Sequence, residues 1–277
     1  MTQFVEDTKK SLNENINILL KSDLSRSAKS RALVEVLGLS KREASYFMGT
    51  LPAMPKAERK VFAFKFGIEL EMLCDHMAVR DGLNRAGIGY NWAANQYYHT
   101  NNNTGFEFKH DGSIHMDSAT NIGFRGAECV SPVLSSKGGL DRVKAVCRVL
   151  NESGAQVNKS TGFHIHLSTE GMTDEWFVNV FKNYQRLEKV IDGFMAPSRR
   201  FNRYCKSLAN VNFDSCRTIW DVQRVMREDR YHKVNPMAYS AHGTIEFRQH
   251  SGTTNFEKIS MWLSFCSKLV EYSKSHL

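Results

Sequence analysis

The sequence predicts an α+β chain: a largely antiparallel sheet with helices over one face, preceded by a small helical module. Three observations carry this reading. Several short stretches alternate apolar and polar residues at period two, as strands with one face in a core do. Longer stretches between them repeat apolar residues at helical spacing. Residues 1–55 show the helical period.

In that first segment Leu12, Ile16, Leu19 and Leu20 recur as on one helix, and Ala28, Ala32, Leu33, Val36 and Leu37 as on a second, stopped by Gly38. Ser40 and Glu43 form a capping box for a third helix that closes at Gly49, and Pro52 and Pro55 mark a hinge. The expected division is a helical module, 1–56, and a larger α+β domain, 57–277. The turn at Gly38-Leu39-Ser40 has the look of a helix-turn-helix. A docking, lid or dimerisation module is the commoner use of such helices.

The sheet begins with Lys60–Met72, KVFAFKFGIELEM. One face carries Phe62, Phe64, Phe66, Ile68, Leu70 and Met72; the other ends in Glu69 and Glu71, about 7 Å apart along the strand. Two carboxylates that close repel unless a cation or proton intervenes. A short helix is expected in AVRDGLNRAGI, and then a polar loop, NWAANQYYHTNNNTG. TGFEFKHDGSI reads as a strand entering a tight turn at Asp111-Gly112-Ser113. In FRGAECVSP, Gly126, Glu128 and Val130 share a face; a lone buried acid there needs a cation or donor beside it. A helix over 139–153 leads to TGFHIHLS, where His164 and His166 oppose Phe163, Ile165 and Leu167. Two imidazoles on one strand face suit a metal or phosphate.

The longest helix, 173–196, is capped by Thr173 and ended by Pro197. Arg199, Arg200 and Arg203 follow on a basic loop suited to phosphate or carboxylate. A helix near Thr218–Arg227 and an edge segment around Pro236 lead to GTIEFRQHSGT, where Thr244, Glu246 and Arg248 share a face. An amphipathic helix from Asn255 to about Ser273 closes the chain.

Composition bounds the function. The 277 residues are 42% hydrophobic and 24% charged, ordinary for a globular protein. Residues 1–60 carry 11 Lys and Arg against 7 Asp and Glu, half of the net charge of +8. The six cysteines include no Cys-x-x-Cys pair, which points to reduced thiols and not to a disulfide framework or zinc knuckle. No apolar run nears the roughly 20 residues of a membrane span, and the start lacks a signal peptide's charge order. The expected location is cytoplasmic, with no membrane partner.

On a sheet of this kind Glu69, Glu71, Glu128, His164, His166, Glu246 and Arg248 fall on one polar surface. A set rich in carboxylates suits Mg²⁺ or Mn²⁺ better than zinc. Mg²⁺ so held usually also meets nucleotide phosphates, and Arg248 can pair with these.

The ordered motifs FGIELEM, DGSI, GAECVSP, TGFHIHLS and HGTIEFRQHSGTTN, across roughly residues 60–270, resemble the amidoligase family of carboxylate–amine ligases, related to glutamine synthetase and glutamate–cysteine ligase. The resemblance implies a glutamine-synthetase-like curved sheet with helices on its outer face and a funnel for ATP and Mg²⁺ (or Mn²⁺). It implies metal ligands at Glu69, Glu71, Glu128, His164 and Glu246. Arg248 is then the residue on the transferring phosphoryl group, and His164, His166, Arg199 and Arg203 face the nucleotide or substrate. The general base is left among Asp111 and the glutamates, Glu71 included. The substrates are a carboxylate and an amine, from an amino acid, peptide or protein tail; nucleic acid is not the expected partner, and residues 1–55 are free to serve oligomerisation or docking. The rival readings are a metal-dependent hydrolase using the same acids and histidines, and a nucleic-acid-binding protein using the basic N-terminal helices.

Overall fold

The computed structural model describes residues 12–22, 24–35, 64–93 and 105–276. The chain divides into two compact units, residues 1–60 and 61–277. In the first, α1 (Leu12–Lys21) and α2 (Arg26–Glu35) bury Ile16, Leu19, Ala32 and Leu33, as their spacing requires. The expected third helix, the stop at Gly38, the helix-turn-helix turn and the Pro52–Pro55 hinge lie outside the described residues.

The second unit is α+β. Its elements are β1 (Phe66–Cys74), α3 (His76–Arg85), β2 (Tyr90–Ala93), β3 (Phe106–His110), β4 (Arg125–Val130), α4 (Ser136–Glu152), β5 (Gly162–Ser168), α5 (Asp174–Phe194), a 3₁₀ turn at Pro197–Arg199, α6 (Ile219–Val225), β6 (Val234–Asn235), α7 (Ala238–His242), β7 (Thr244–Ser251) and α8 (Phe256–Tyr272). The described strands form one seven-stranded sheet in the order β2-β3-β4-β1-β5-β7-β6. Only β2 and β3 run parallel; the other neighbours are antiparallel. The aromatic strand β1 is therefore central, with β4 and β5 on its flanks.

The apolar face of β1, with Phe163, Ile165 and Leu167 of β5 and Ile245 and Phe247 of β7, joins one core with the buried stripes of α4, α5 and α8. Each such side chain contributes roughly 1.5–3 kcal/mol on burial. A one-residue register slip would turn Glu69, Glu71, His164 and His166 into that core, so the apolar pattern also fixes the polar face. Helix ends obey local chemistry. Thr173 caps α5 at Trp176 N, Asn255 caps α8 at Lys258 N, and Gly243 closes α7 in the left-handed region (φ 64°), which frees Thr244 to enter β7 at once. All six cysteines are buried and unbridged. No helix among the described residues is long and apolar enough to cross a membrane.

Two features depart from the sequence reading. The start of the expected polar loop is instead the edge strand β2, because Trp92 stacks on Phe108 (centroids 5.0 Å apart, 11° between planes) and Tyr90 meets that ring edge-on; residues 94–104 lie outside the described residues. Strict alternation on β7 also breaks. Ile165 faces Phe247 but Phe163 faces His250, so β7 carries one extra residue, a β-bulge. His250 thereby packs against Phe163 and Trp262 on the core side.

A buried polar network underlies this bulge. Lys233, 0% exposed, reaches Glu188 Oε1 at 2.8 Å and Asp192 Oδ1 at 2.6 Å. Gln249 donates to Asp192 and accepts from Tyr184 Oη. Removing one partner of a buried pair strands the other charge. Lys233→Ala is therefore expected to lower the unfolding free energy by about 3–5 kcal/mol. Lys65→Ala, which breaks the exposed pair with Glu170, should cost less than about 1 kcal/mol. Denaturant melts of the two variants measure the contrast; equal small losses would show that the network carries no such weight.

Candidate active site

The site is built by cross-strand rows on the polar face. Register sets Glu69 of β1 beside His164 of β5 and Glu71 beside Glu128 of β4. It also sets His166 beside Glu246 of β7, Glu246 beside Asn235 of β6, and Lys109 of β3 beside Glu128. Five strands in a row, β4-β1-β5-β7-β6, thus each bring a polar residue to one surface, with β3 at its margin.

The contacts are close. His164 Nδ1 lies 2.8 Å from Glu69 Oε2 and 3.5 Å from Glu246 Oε1, and its Nε2 is 3.6 Å from Glu71 Oε1. His166 Nε2 lies 3.2 Å from Glu69 Oε1 and 3.9 Å from Glu246 Oε1. Arg248 pairs with Glu246 Oε1, whose other oxygen accepts from Asn235 Nδ2 at 2.6 Å. Lys109 Nζ holds Glu128 Oε2 at 2.8 Å. Glu71 Oε2 accepts the Gly162 backbone N–H at 2.6 Å. A Cβ on Gly162 would sit 2.9 Å from His164 Nε2, 3.1 Å from Arg199 Nη2 and 3.3 Å from Glu71 Oε2. Glycine is needed there for space: it lets three polar tips converge.

The electrostatics follow from burial and neighbours. Burial, and after it the charge of Glu69, pushes the Glu128 carboxyl up to about 8, with Lys109 pulling the other way. Burial would also raise Glu69, but His164 and His166 outweigh it and hold the group well below the usual carboxylate range. For Glu246 burial is opposed by Arg248, which wins and keeps it low. Four carboxylates thus face two paired cations, Arg248 and Lys109. Such a surface favours an added cation, which can take the place of the proton on Glu128. Two donor sets are close enough to hold one: Glu69, Glu128 and His164, and Glu69, His166 and Glu246, each with its donor atoms within 4.8 Å of one another.

The remaining sequence candidates divide. Arg199 is not on an exposed loop: it is 3% exposed in the 3₁₀ turn, with Nη2 donating to Arg248 O at 2.5 Å. The 3₁₀ turn Pro197–Arg199 packs against β7, which covers the side chain. Arg200 donates to Met195 O and Arg203 to Tyr204 Oη, which ties both to their own loop. Asp111 Oδ1 accepts from Ser113 N at 2.8 Å in the turn after β3. Lys109 and Asn235 were missed as site residues. The alternation of Phe106 and Phe108 puts Lys109 on the polar face and could have found it; the two-residue β6 carries no comparable signal.

A scan against family models matches residues 63–270 to the family described as "putative amidoligase enzyme". The chain belongs to the amidoligase family. The matched span contains all seven strands and every residue of the polar cluster. Membership supports an enzyme with ligase activity, acting on a carboxylate and an amine. Among the curated proteins none matches the chain.

Proposed function

We propose that this amidoligase is an ATP- and Mg²⁺- (or Mn²⁺-) dependent carboxylate–amine ligase that forms an amide or isopeptide bond through an acyl phosphate. The observation that carries it is the convergence of Glu69, Glu71, Glu128, His164 and Glu246, from four strands, beside Arg248. Attack of a carboxylate on a polyphosphate sets anion against anion. Bound divalent ions supply the charge neutralisation and orient the phosphates.

The chain's own residues do the rest. Glu69, Glu71, Glu128, His164 and Glu246 would hold the cations. Arg248, held in place by Glu246, presents its remaining N–H groups to the transferring phosphoryl group. Arg199, buried beside Gly162, faces the same anions, and His166 would meet the nucleotide; Arg203, tied to its own loop, would have to leave Tyr204 to reach it. The substrate carboxylate oxygen attacks the γ-phosphorus and ADP leaves; the amine then attacks the acyl carbon, phosphate leaves, and the amine proton passes to a base. Asp111 and Glu71 are the candidates for that base; each has one oxygen engaged by a backbone N–H, of Ser113 and Gly162 respectively. The fold that goes with this reading is the curved glutamine-synthetase-like sheet, its polar face lining the nucleotide funnel. Residues 1–56 serve as a docking or oligomerisation module and residues 57–277 as the catalytic domain of a cytoplasmic enzyme.

The test is a condensation screen with the full chain, ATP and Mg²⁺ across libraries of acids and amines, read by intact mass. ADP and phosphate release that needs both an acid and an amine, with a product lighter than their sum by one water, is expected. Cleavage of peptides or phosphoesters without nucleotide would replace the ligase by a metal-dependent hydrolase.

A further inference from the structure

Next to Arg248, at the β6 edge of the sheet, two tyrosines and two arginines form a shelf. The Tyr231 ring centre lies 5.8 Å from the Arg248 guanidinium carbon and 5.4 Å from that of Arg230. Tyr204 meets Tyr231 edge-on at 5.7 Å, its carbonyl faces Arg248 Nε at 3.5 Å, and Arg203 lies 4.7 Å over its ring. The backbone fixes the shelf. Lys206 N donates to Tyr231 O at 2.7 Å and Lys233 N to Lys206 O at 3.0 Å, and Asn202 Oδ1 accepts Tyr204 N at 2.7 Å. Arg203 and Arg230 are exposed, and among the described residues neither pairs with a carboxylate. Asp229, beside Arg230 in the chain, is engaged by Lys206 Nζ at 2.6 Å and Tyr231 N at 2.8 Å. A guanidinium laid on a ring uses its face and keeps N–H edges for a planar anion. With ring faces taken in this way, the shelf offers more to carboxylates than to a stacking base.

We propose that this shelf seats the acid substrate, and that the substrate is an acidic peptide rich in Glu or Asp: its reacting carboxylate lies at Arg248 and its neighbouring carboxylates pair with Arg203 and Arg230. The inference rests on the ligase reading and deepens it, naming the class of the acid and giving Arg203 to that substrate instead of the nucleotide. Reach fits a peptide. The Arg230 and Arg248 guanidinium carbons, 5.4 and 5.8 Å from one ring centre, are no more than about 11 Å apart, the length of roughly three extended residues. Two open guanidiniums beside Arg248 call for three carboxylates in one substrate, more than a single amino acid carries. Charge fits as well. The reaction surface itself presents Glu69, Glu71, Glu128 and Glu246, which repel an incoming acid, and exposed guanidiniums at its margin offset that repulsion on approach.

The experiment is fluorescence anisotropy of labelled hexaglutamate with the full chain in Mg²⁺ buffer at low salt, with hexaglutamine and free glutamate as competitors. Hexaglutamate should bind, weaken as salt rises, and resist both competitors at equal concentration. Arg230→Gln should weaken it about threefold, and Arg230→Gln with Arg203→Gln about tenfold, while Arg230→Gln leaves ATP affinity by calorimetry within about twofold. Both side chains are exposed, so both variants should melt as the native protein does. No binding of hexaglutamate, unchanged affinity in the double variant, or displacement by equal hexaglutamine or free glutamate overturns the inference. So does a loss of ATP affinity in Arg230→Gln with hexaglutamate unaffected, which gives the shelf to the nucleotide. ATP-dependent ligation with no preference for acidic peptides also removes the inference and leaves the ligase reading in place. Hexaglutamate binding at the shelf of a protein that joins no acid to any amine removes the ligase and leaves the acidic-peptide site.

Discussion

Glu69→Gln should lower ATP-dependent ligation by at least about 10³-fold, roughly 4 kcal/mol of transition-state stabilisation, while leaving the fold in place. Glu69 is the only residue in both donor sets. It sits at the middle of β1, paired to β4 on one side and β5 on the other, and its two oxygens face His164 and His166. Gln keeps the size of the side chain and the backbone ladder but removes the charge that a cation needs. Some stability should be lost in the ion-free protein, since Glu69 is the charge that His164 and His166 face. Saturating-substrate turnover and a thermal melt make the measurement. Turnover within tenfold of the native enzyme would remove Glu69, and the shared-ligand arrangement with it, from the catalytic assignment.

Arg248→Lys should cost about 10²–10³ in turnover, although the charge is kept. The guanidinium is fixed from several sides. It pairs with Glu246, its Nε points to Tyr204 O at 3.5 Å, and it lies 5.8 Å from the centre of the Tyr231 ring. Its backbone is clamped as well, N to Lys233 O at 2.9 Å and O to Arg199 Nη2 at 2.5 Å. A planar fork can hold Glu246 and still present further N–H groups to a phosphoryl group; an ammonium engaged by Glu246 has no fixed second arm. The loss should fall on the maximal rate more than on nucleotide KM, with the melting temperature within a few degrees of native. A lysine enzyme within about threefold of the native rate would show that Arg248 acts only as a counter-charge to Glu246.

Much of this site was legible before any coordinates. Glu69, Glu71, Glu128, His164, His166, Glu246 and Arg248 each oppose apolar neighbours at period two, and the structure brings all seven to one face. The bulge that turns His250 inward, the stacking that makes a strand of Tyr90–Ala93, and the burial of Arg199 were not legible. Each depends on a partner far along the chain.

The sequence by itself determined which residues share a face, because a strand's two-residue period and a helix's cap are local and written in neighbouring positions. Only the tertiary structure decided which faces meet. It put β1 between β4 and β5, gave Lys109 to Glu128 and Asn235 to Glu246, and left Nε2 of His166 facing Glu69. Those pairings are distances across strands, set by the burial of a common apolar layer and by one extra residue in β7, and no local pattern encodes a distance of that kind.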